Sequence, residues 1–292
     1  MMKKSHNDGV DGYSTAYSKA LLDGDADGAE AAVRDAMRGG LSAREVYLDL
    51  LLPGLSSIGD MWHRGEINVA QEHLATHTSL GILERVSALT ETGRPRGVWA
   101  VIAAVAGEQH FVGARTFANF LKMDGWEVDF LGADTPAADL GQFLRDRGPE
   151  LVVLCVTLPG HLQSALDTAS HLRSLSGGWK VMIAGPSAAG AEAGETVDGV
   201  ATDMIEGIAL AADLVGAEQA GLELDDVLSG LGMKILMLRK GLSITQAELA
   251  AKSDLDRAYI SAVEGGKQNI SVAALVRLAA ALEVEPRALL PS

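Results

Sequence analysis

The sequence predicts a multidomain protein with an N-terminal helical bundle, a central parallel α/β domain and an all-helical C-terminal domain. Three observations favour this fold class. Apolar residues recur at helical spacing up to residue 92, strand-like apolar runs alternate with helical patterns over residues 98–217, and helical spacing returns after residue 231. At 292 residues with 48% hydrophobic content, the chain is long enough and apolar enough to form more than one packed core.

Charge is distributed unevenly along the chain. The formal net charge is −15, but residues 230–292 carry 8 Lys/Arg against 6 Asp/Glu, which leaves −17 on residues 1–229. An acidic body repels nucleic acid, so only the C-terminal part is expected to touch DNA. The single cysteine excludes an internal disulfide and favours a cytoplasmic location, and the apolar runs are too short to span a membrane.

The first part of the chain predicts a helical bundle. Residues 1–12 are polar and predict a flexible tail, and the bundle is expected over residues 13–92. Gly39-Gly40 ends one helix, and Ser42 with Glu45 three residues later predicts the N-terminus of the next. Pro53-Gly54 predicts a kink or a break in that helix.

Residues 98–217 predict an open parallel sheet of the flavodoxin-like or Rossmann-like kind, because apolar runs alternate with helical segments through short loops. The expected strands are Val98–Val105, Glu127–Leu131, Leu151–Val156, Lys180–Ala184 and Gly199–Ala201. Ligands of such sheets bind at the carboxyl ends of the strands, near the topological switch point. A linker is expected over residues 218–230.

The loop after the first strand carries a histidine at that edge of the sheet. Neutral imidazole binds transition metals, and a neighbouring carboxylate can orient its second nitrogen. His110 has such a neighbour in Glu108, and Gly113 would let the following helix begin close to a bulky ligand. On these residues alone, His110 is either a metal ligand or an ordinary polar loop residue.

Glu108-x-His110-x-x-Gly113 resembles the cobalamin-binding motif Asp/Glu-x-His-x-x-Gly. The resemblance implies that His110 replaces dimethylbenzimidazole as the lower axial ligand of cobalt, and that the displaced nucleotide tail threads beside the sheet. Two further elements resemble those lining the tail pocket of the family. They are Cys155-Val156-Thr157-Leu158, with Cys where Ser is usual, and Ala184-Gly185, with Ala in place of the first Gly.

Trp62, followed nine residues later by Glu72-His73, resembles the pattern of CarH-type adenosylcobalamin photoreceptors. The resemblance implies that Trp62 packs on the adenosyl group above the corrin. Glu72 would hydrogen-bond the ribose or adenine of that group, and His73 would help to shape its pocket. In that family the residue after the Trp is the histidine that captures cobalt after light breaks the cobalt–carbon bond. Here it is His63, a possible upper cobalt ligand after illumination. Without the adjoining cobalamin-like domain, these residues would suggest only a core aromatic and a solvated helix face.

Residues 231–292 resemble the Cro/C1-type (XRE) helix-turn-helix, through Thr245-Gln246-Ala247-Glu248-Leu249-Ala250 and the Glu264-Gly265-Gly266-Lys267 ending. The resemblance implies that Arg257, Ala258 and Ala262 face base edges, with Arg257 able to contact guanine. It also implies a set of phosphate contacts from Thr245, Gln246, Tyr259, Ser261, Lys267 and Asn269. The alternative is a helical dimerisation module without DNA binding.

Together these features favour a light-responsive, adenosylcobalamin-binding transcriptional regulator rather than an enzyme. The expected partners are a double-stranded DNA operator and further copies of the chain, as a homodimer or higher homo-oligomer. Two alternatives remain open. One is a regulator that senses cobalamin level without photochemistry, and the other is a corrinoid protein that carries methyl groups.

Overall fold

The computed structural model describes residues 6–90, 92–217, 224–242 and 244–290. The chain forms two compact units. One combines the N-terminal bundle with the C-terminal helices, Met1–Val86 with Leu222–Ser292, and the other is the α/β domain, Ser87–Gly221. The sequence led us to expect the bundle and the C-terminal domain as separate bodies, whereas their side chains pack into a single unit.

The bundle consists of five helices, in which a π-helical stretch separates the third from the fourth. They are α1 (His6–Leu22), α2 (Ala26–Arg38), α3 (Ala43–Glu45), the π-helical stretch Val46–Leu51, α4 (Leu52–His63) and α5 (Val69–Leu89). Helix α1 begins inside the segment that we expected to be a flexible tail, so the tail prediction is wrong from His6 onward; residues 1–5 lie outside the described residues.

Local capping explains where the central helix of the bundle begins. The Ser42 hydroxyl accepts a hydrogen bond from the Glu45 amide, and the Glu45 carboxylate accepts one from the Ser42 amide. Helix α3, the π-helical stretch and α4 follow without a break, and Pro53 lies in the first turn of α4. Proline lacks an amide hydrogen and cannot complete a regular α-helical ladder, which places the irregular turn just before it.

Two buried tyrosines lie in the core of the bundle and connect its helices. The Tyr17 hydroxyl donates to Ser79 Oγ at 2.7 Å, and the Tyr47 hydroxyl donates to the carbonyl of Leu83 at 2.7 Å. Because both phenols are satisfied, their rings can be buried without the cost of an unpaired hydroxyl. These bonds tie α1 and the π-helical stretch to α5.

The α/β domain has a five-stranded sheet in the order β2-β1-β3-β4-β5, and all neighbouring strands are parallel. The strands are β1 (Trp99–Val105), β2 (Glu127–Thr135), β3 (Leu151–Cys155), β4 (Lys180–Ala184) and β5 (Gly199–Ala201). This confirms the expected parallel α/β fold. Strand β2 runs further than predicted because register shifts after Phe130 extend its pairing with β1 through an irregular segment.

Helices cover both faces of the sheet. They are α6 (Val112–Met123), α7 (Ala137–Arg147), α8 (Leu162–Ser174) and α9 (Met204–Leu214). Leu140 and Leu144 of α7 and Leu172 of α8 share one core with alternate residues of β1, β3 and β4. Helices α6 and α9 pack together on the other face, where a side chain at Gly207 would press against Phe117. Burial on both faces accounts for the continuous apolar strands read in the sequence.

The C-terminal part is all-helical. Its helices are α10 (Leu224–Gly241), α11 (Gln246–Ser253), α12 (Arg257–Glu264), α13 (Val272–Ala281) and a final 3-10 turn (Pro286–Leu289). The expected linker over residues 218–230 is helical from Leu224, and residues 218–223 lie outside the described residues. Leu249, Ile260 and Leu278 fill the core. No helix in the described parts of the chain is both long enough and apolar enough to cross a bilayer.

Candidate functional site

His110 lies at the topological switch point of the sheet. Strand β1 has β2 on one side and β3 on the other, and the loop after β1 opens at their carboxyl ends. Gly107, with φ of 86°, turns the chain into this loop. The His110 side chain is 49% exposed, so the imidazole projects from the edge of the sheet.

Glu108 is the polar centre of this edge. Its side chain is fully buried, and its Oε1 accepts hydrogen bonds from both the amide and the Nδ1 of His110, each at 2.8 Å. Its Oε2 accepts from the amides of Thr157 and Leu158, each at 2.9 Å. One carboxylate therefore orients the histidine and ties the β1 loop to the loop after β3.

The Glu108 carboxylate remains ionised in this setting. Burial raises its pKa, but the hydrogen bonds from Leu158, His110 and Thr157 outweigh burial and bring the pKa below its ordinary value. An ionised acceptor at Nδ1 fixes the proton of His110 on that nitrogen. The lone pair is then on Nε2, the nitrogen that can bind a metal.

Three residues that the sequence did not assign to the site hold its loops together. Asp134 Oδ1 accepts from the Gly107 amide at 2.7 Å, Ser187 Oγ donates to the Thr157 carbonyl at 2.7 Å, and Ser164 Oγ donates to the Ala106 carbonyl at 3.0 Å. Thr157 Oγ1 in turn donates to the His110 carbonyl at 2.9 Å. Nothing in their spacing distinguishes these residues from ordinary turn and helix residues.

The residues expected beside a nucleotide tail lie at the carboxyl ends of β3 and β4 and just after them. Cys155 and Ala184 are buried at the ends of paired strands, and burial raises the pKa of the Cys155 thiol to about 12, with the Glu108 charge adding to the effect. Gly185 has φ of 125°, and a Cβ there would collide with the Val156 carbonyl. Leu158 is 38% exposed beside this edge.

This edge fits a large ligand that already holds its own metal. It offers one oriented imidazole nitrogen, and a Cβ built at Gly113 would meet no atom within 4 Å, so the start of α6 is open. Exposed Leu158 adds an apolar contact surface. A macrocycle that fills the equatorial positions of its metal needs only one axial ligand from the protein.

In the bundle, the predicted upper-face residues lie at the end of α4 and the start of α5. Trp62 is 38% exposed and packs edge-to-face on His63, with ring centroids 4.8 Å apart. His63 Nδ1 donates to the Gly59 carbonyl at 2.8 Å, which leaves the lone pair on Nε2. Glu72 accepts from Thr76 at 2.7 Å, and its Oε2 is 3.7 Å from Nε2 of the exposed His73.

The helix-turn-helix residues differ in their exposure. Ala258, Lys267 and Asn269 are exposed, and Thr245, Arg257, Tyr259, Ser261 and Ala262 are partly buried. Gln246 is buried and donates to Glu264 Oε2 at 2.9 Å, so our prediction that it reaches a phosphate does not hold in this form. The same Glu264 carboxylate forms a buried ion pair with Arg239, so Arg239 and Gln246 share one buried acceptor.

Comparison with known proteins assigns each part of the chain. Residues 13–86 and 98–209 each match a B12 binding domain family, and residues 235–289 match a helix-turn-helix family. The monomethylamine corrinoid protein of Methanosarcina barkeri shares the fold with a TM-score of 0.60 at 18% identity, over 71% of this chain and 99% of that protein.

The chain therefore carries two segments that match B12 binding domains and, after them, a segment that matches a helix-turn-helix. It is homologous to two HTH-type transcriptional repressors of Myxococcus xanthus. It is 30% identical to CarH over 53% of this chain and 52% of CarH, and 38% identical to CarA over 43% of each protein. The chain thus spans about half the length of these relatives.

Proposed function

We propose that the protein is a light-responsive transcriptional regulator that binds adenosylcobalamin and uses its C-terminal helix-turn-helix to bind double-stranded operator DNA. The observation that carries the proposal is the buried Glu108 carboxylate 2.8 Å from Nδ1 of His110, in a chain that also carries a helix-turn-helix. The homologous repressors support a regulatory rather than an enzymatic role. A DNA-bound regulator would act in the cytoplasm.

The α/β domain would hold the lower face of the cofactor. His110 Nε2 would ligate cobalt, and Glu108 would keep the ring in the ligating tautomer. Gly113 would admit the corrin beside α6. The residues proposed to border the nucleotide tail are Cys155, Thr157, Leu158, Ala184 and Gly185.

The bundle would hold the upper face. Trp62 supplies an exposed indole, and Glu72 and His73 supply polar groups for the adenosyl moiety. Adenosylcobalamin, when bound, supplies a cobalt–carbon bond that visible light breaks. His63 is then the proposed upper ligand, and its hydrogen bond to Gly59 supports this role because it leaves Nε2 as the basic nitrogen.

Absorption spectra test cofactor binding and photochemistry together. The protein is reconstituted with adenosylcobalamin and measured before and after green light, as wild type, His110→Ala and His63→Ala, with His77→Ala as the exposed-histidine control. We expect His110→Ala to weaken cofactor binding, and His63→Ala to bind normally in the dark but to give a different spectrum after light. An unchanged spectrum on illumination of the wild type contradicts the light-responsive function.

DNA binding and oligomer mass separate the alternatives. Duplexes selected by the protein from a randomised pool are titrated with apoprotein, dark holoprotein and illuminated holoprotein, while light scattering follows the mass. A light-dependent change in both quantities supports the proposed regulator. Equal binding in dark and light, but not by apoprotein, supports a cobalamin-level sensor, since a ligand shifts an equilibrium only by its differential affinity. Preference for methylcobalamin without DNA binding supports a methyl carrier, the function suggested by the corrinoid-protein fold.

A further inference from the structure

The recognition helix α12 contacts the bundle within the unit that the two share. Ser261 Oγ donates to the Gly40 carbonyl at 3.2 Å. Arg257 lies one turn earlier, on the same face of α12. These are two of the residues expected to reach DNA, so part of the expected DNA-binding face lies against the N-terminal bundle.

Arg257 lies in this contact with two of its hydrogen-bond donor atoms unpaired. Its Nε and Nη2 are buried and have no hydrogen-bond partner among the described residues. Burial lowers the pKa of the guanidinium, while Glu45 and Tyr13 of the bundle act in the opposite direction. An arginine confined in this way cannot offer its paired donors to the edge of a guanine.

The bundle places carboxylates next to basic residues of the C-terminal helix-turn-helix. Glu45 is 4% exposed and faces the cations Arg239, Lys240 and Arg257, with the like charge of Glu264 also close by. Asp49, one turn further on, forms an ion pair with Lys240 of α10. Carboxylates placed against cations of a DNA-binding domain occupy the electrostatic role that phosphates would take.

We propose that residues 40–49 of the bundle mask the recognition helix, so that α12 reaches DNA only after the bundle and the helix-turn-helix separate. This inference rests on the proposed DNA-binding function and deepens it by naming how that binding is controlled. The masked form is poised rather than permanent. Its two unpaired guanidinium donors disfavour the closed contact and would gain partners on release.

A continuous helical segment connects residues 40–49 to the proposed cofactor-binding residues of the bundle. The run Ala43–His63 carries Glu45 and Asp49 near its start and Trp62 and His63 at its end, roughly 25 Å away. A displacement at His63 would be carried along this segment to the face that covers α12. The masking contact therefore gives the proposed upper-face residues of the bundle a physical route to the helix-turn-helix.

Charge reversal at the edge of the contact tests the mask. We expect Asp49→Lys in the full chain to raise affinity for a selected duplex at least tenfold, because it repels Lys240 and opens the contact. Asp35→Lys makes the same change in net charge at an exposed site of α2, so it controls for general attraction to DNA. Glu45→Gln is the second variant. It removes the charge facing Arg257 and keeps an acceptor for Ser42, so we expect a smaller gain in affinity.

Hydrogen exchange of the wild type gives an independent readout. On addition of the selected duplex, amides of α12 should become protected while amides of residues 40–49 lose protection. Equal DNA affinity of folded Asp49→Lys, Glu45→Gln, Asp35→Lys and wild type would overturn the mask while leaving DNA binding intact. If none of these proteins binds any duplex at low salt, the proposed DNA-binding function itself fails.

Discussion

Oε1 of the fully buried Glu108 lies 2.8 Å from Nδ1 of His110, whose side chain is half exposed. The buried Glu108 thus holds an imidazole, that of His110, which is accessible to a ligand. Because the other carboxylate oxygen binds two amides of the β3 loop, the orientation of the imidazole depends on the mutual placement of two strands. The proposed metal ligand is thereby positioned before any cofactor arrives.

Replacing Glu108 should weaken both the fold of this edge and the binding of cobalamin. Glu108→Ala leaves the part-buried Thr157 and Leu158 amides without their acceptor, at a cost of at most about 1–3 kcal/mol in the free energy of unfolding for each. Loss of the partner that orients the ligand should lower cobalamin affinity about 10–100-fold. Urea unfolding and absorption titration measure the two effects. Glu195→Ala, at an exposed loop position, should change neither quantity.

The stability of the α/β domain should fall in acid partly through Glu108. Its pKa in the folded protein lies below the ordinary value of 4.5, so its contribution is complete above that pH and is lost as the pH falls through the folded pKa. Tryptophan fluorescence in a Trp62→Phe background follows this unit, which then holds the three remaining tryptophans, Trp99, Trp126 and Trp179. Glu108→Gln should show a smaller loss between pH 7 and acid, while Asp198, whose pKa is also lowered, contributes equally to both proteins.

Two glycines at the sheet edge should respond oppositely to alanine. Gly185→Ala forces a side chain into a positive φ against the Val156 carbonyl and should cost at least about 2 kcal/mol in stability. Gly113→Ala enters open space in a helix and should stabilise the unfilled domain by up to about 1 kcal/mol. If the corrin lies beside α6 as proposed, Gly113→Ala nevertheless binds cobalamin more weakly. Normal binding by Gly113→Ala would place the corrin elsewhere.

The buried Arg239–Glu264 pair should be sensitive to loss of one partner. Arg239→Met leaves a carboxylate buried with Gln246 alone and should destabilise the helical unit by about 3–5 kcal/mol. Far-UV circular dichroism during urea unfolding measures the loss. Arg287→Met breaks an exposed pair with Glu285 and should cost less than about 1 kcal/mol. The double variant Arg239→Met with Glu264→Met should recover most of the lost stability, because no charge is left buried.

The local pattern of apolar residues predicted most of the secondary structure of the protein. Strand β4, strand β5 and the carboxyl end of β1 lie where the apolar runs indicated, because a strand buried on both faces must be apolar throughout. The helix start predicted at Ser42 and Glu45 is also confirmed, because a capping box forms there. These features depend on residues close together in the chain.

Contacts between distant residues could not be predicted in the same way. The partners of Glu108 Oε2 lie 49 and 50 residues away, and those of Asp134 and Ser187 lie 27 and 30 residues away. Gln246 gives a second example, because it donates to the buried Glu264 carboxylate 18 residues away on another helix. Spacing along the chain carries no information about such pairs.

The sequence by itself determined the three kinds of structure, the histidine after the first strand and the helix-turn-helix, because periodicity, caps and short motifs are local properties. Only the tertiary structure decided that Glu108 joins two loops, and that Arg257 and Ser261 lie against the bundle. Both outcomes depend on which surfaces meet when the chain packs. That choice is made by the sum of many long-range contacts rather than by any one segment.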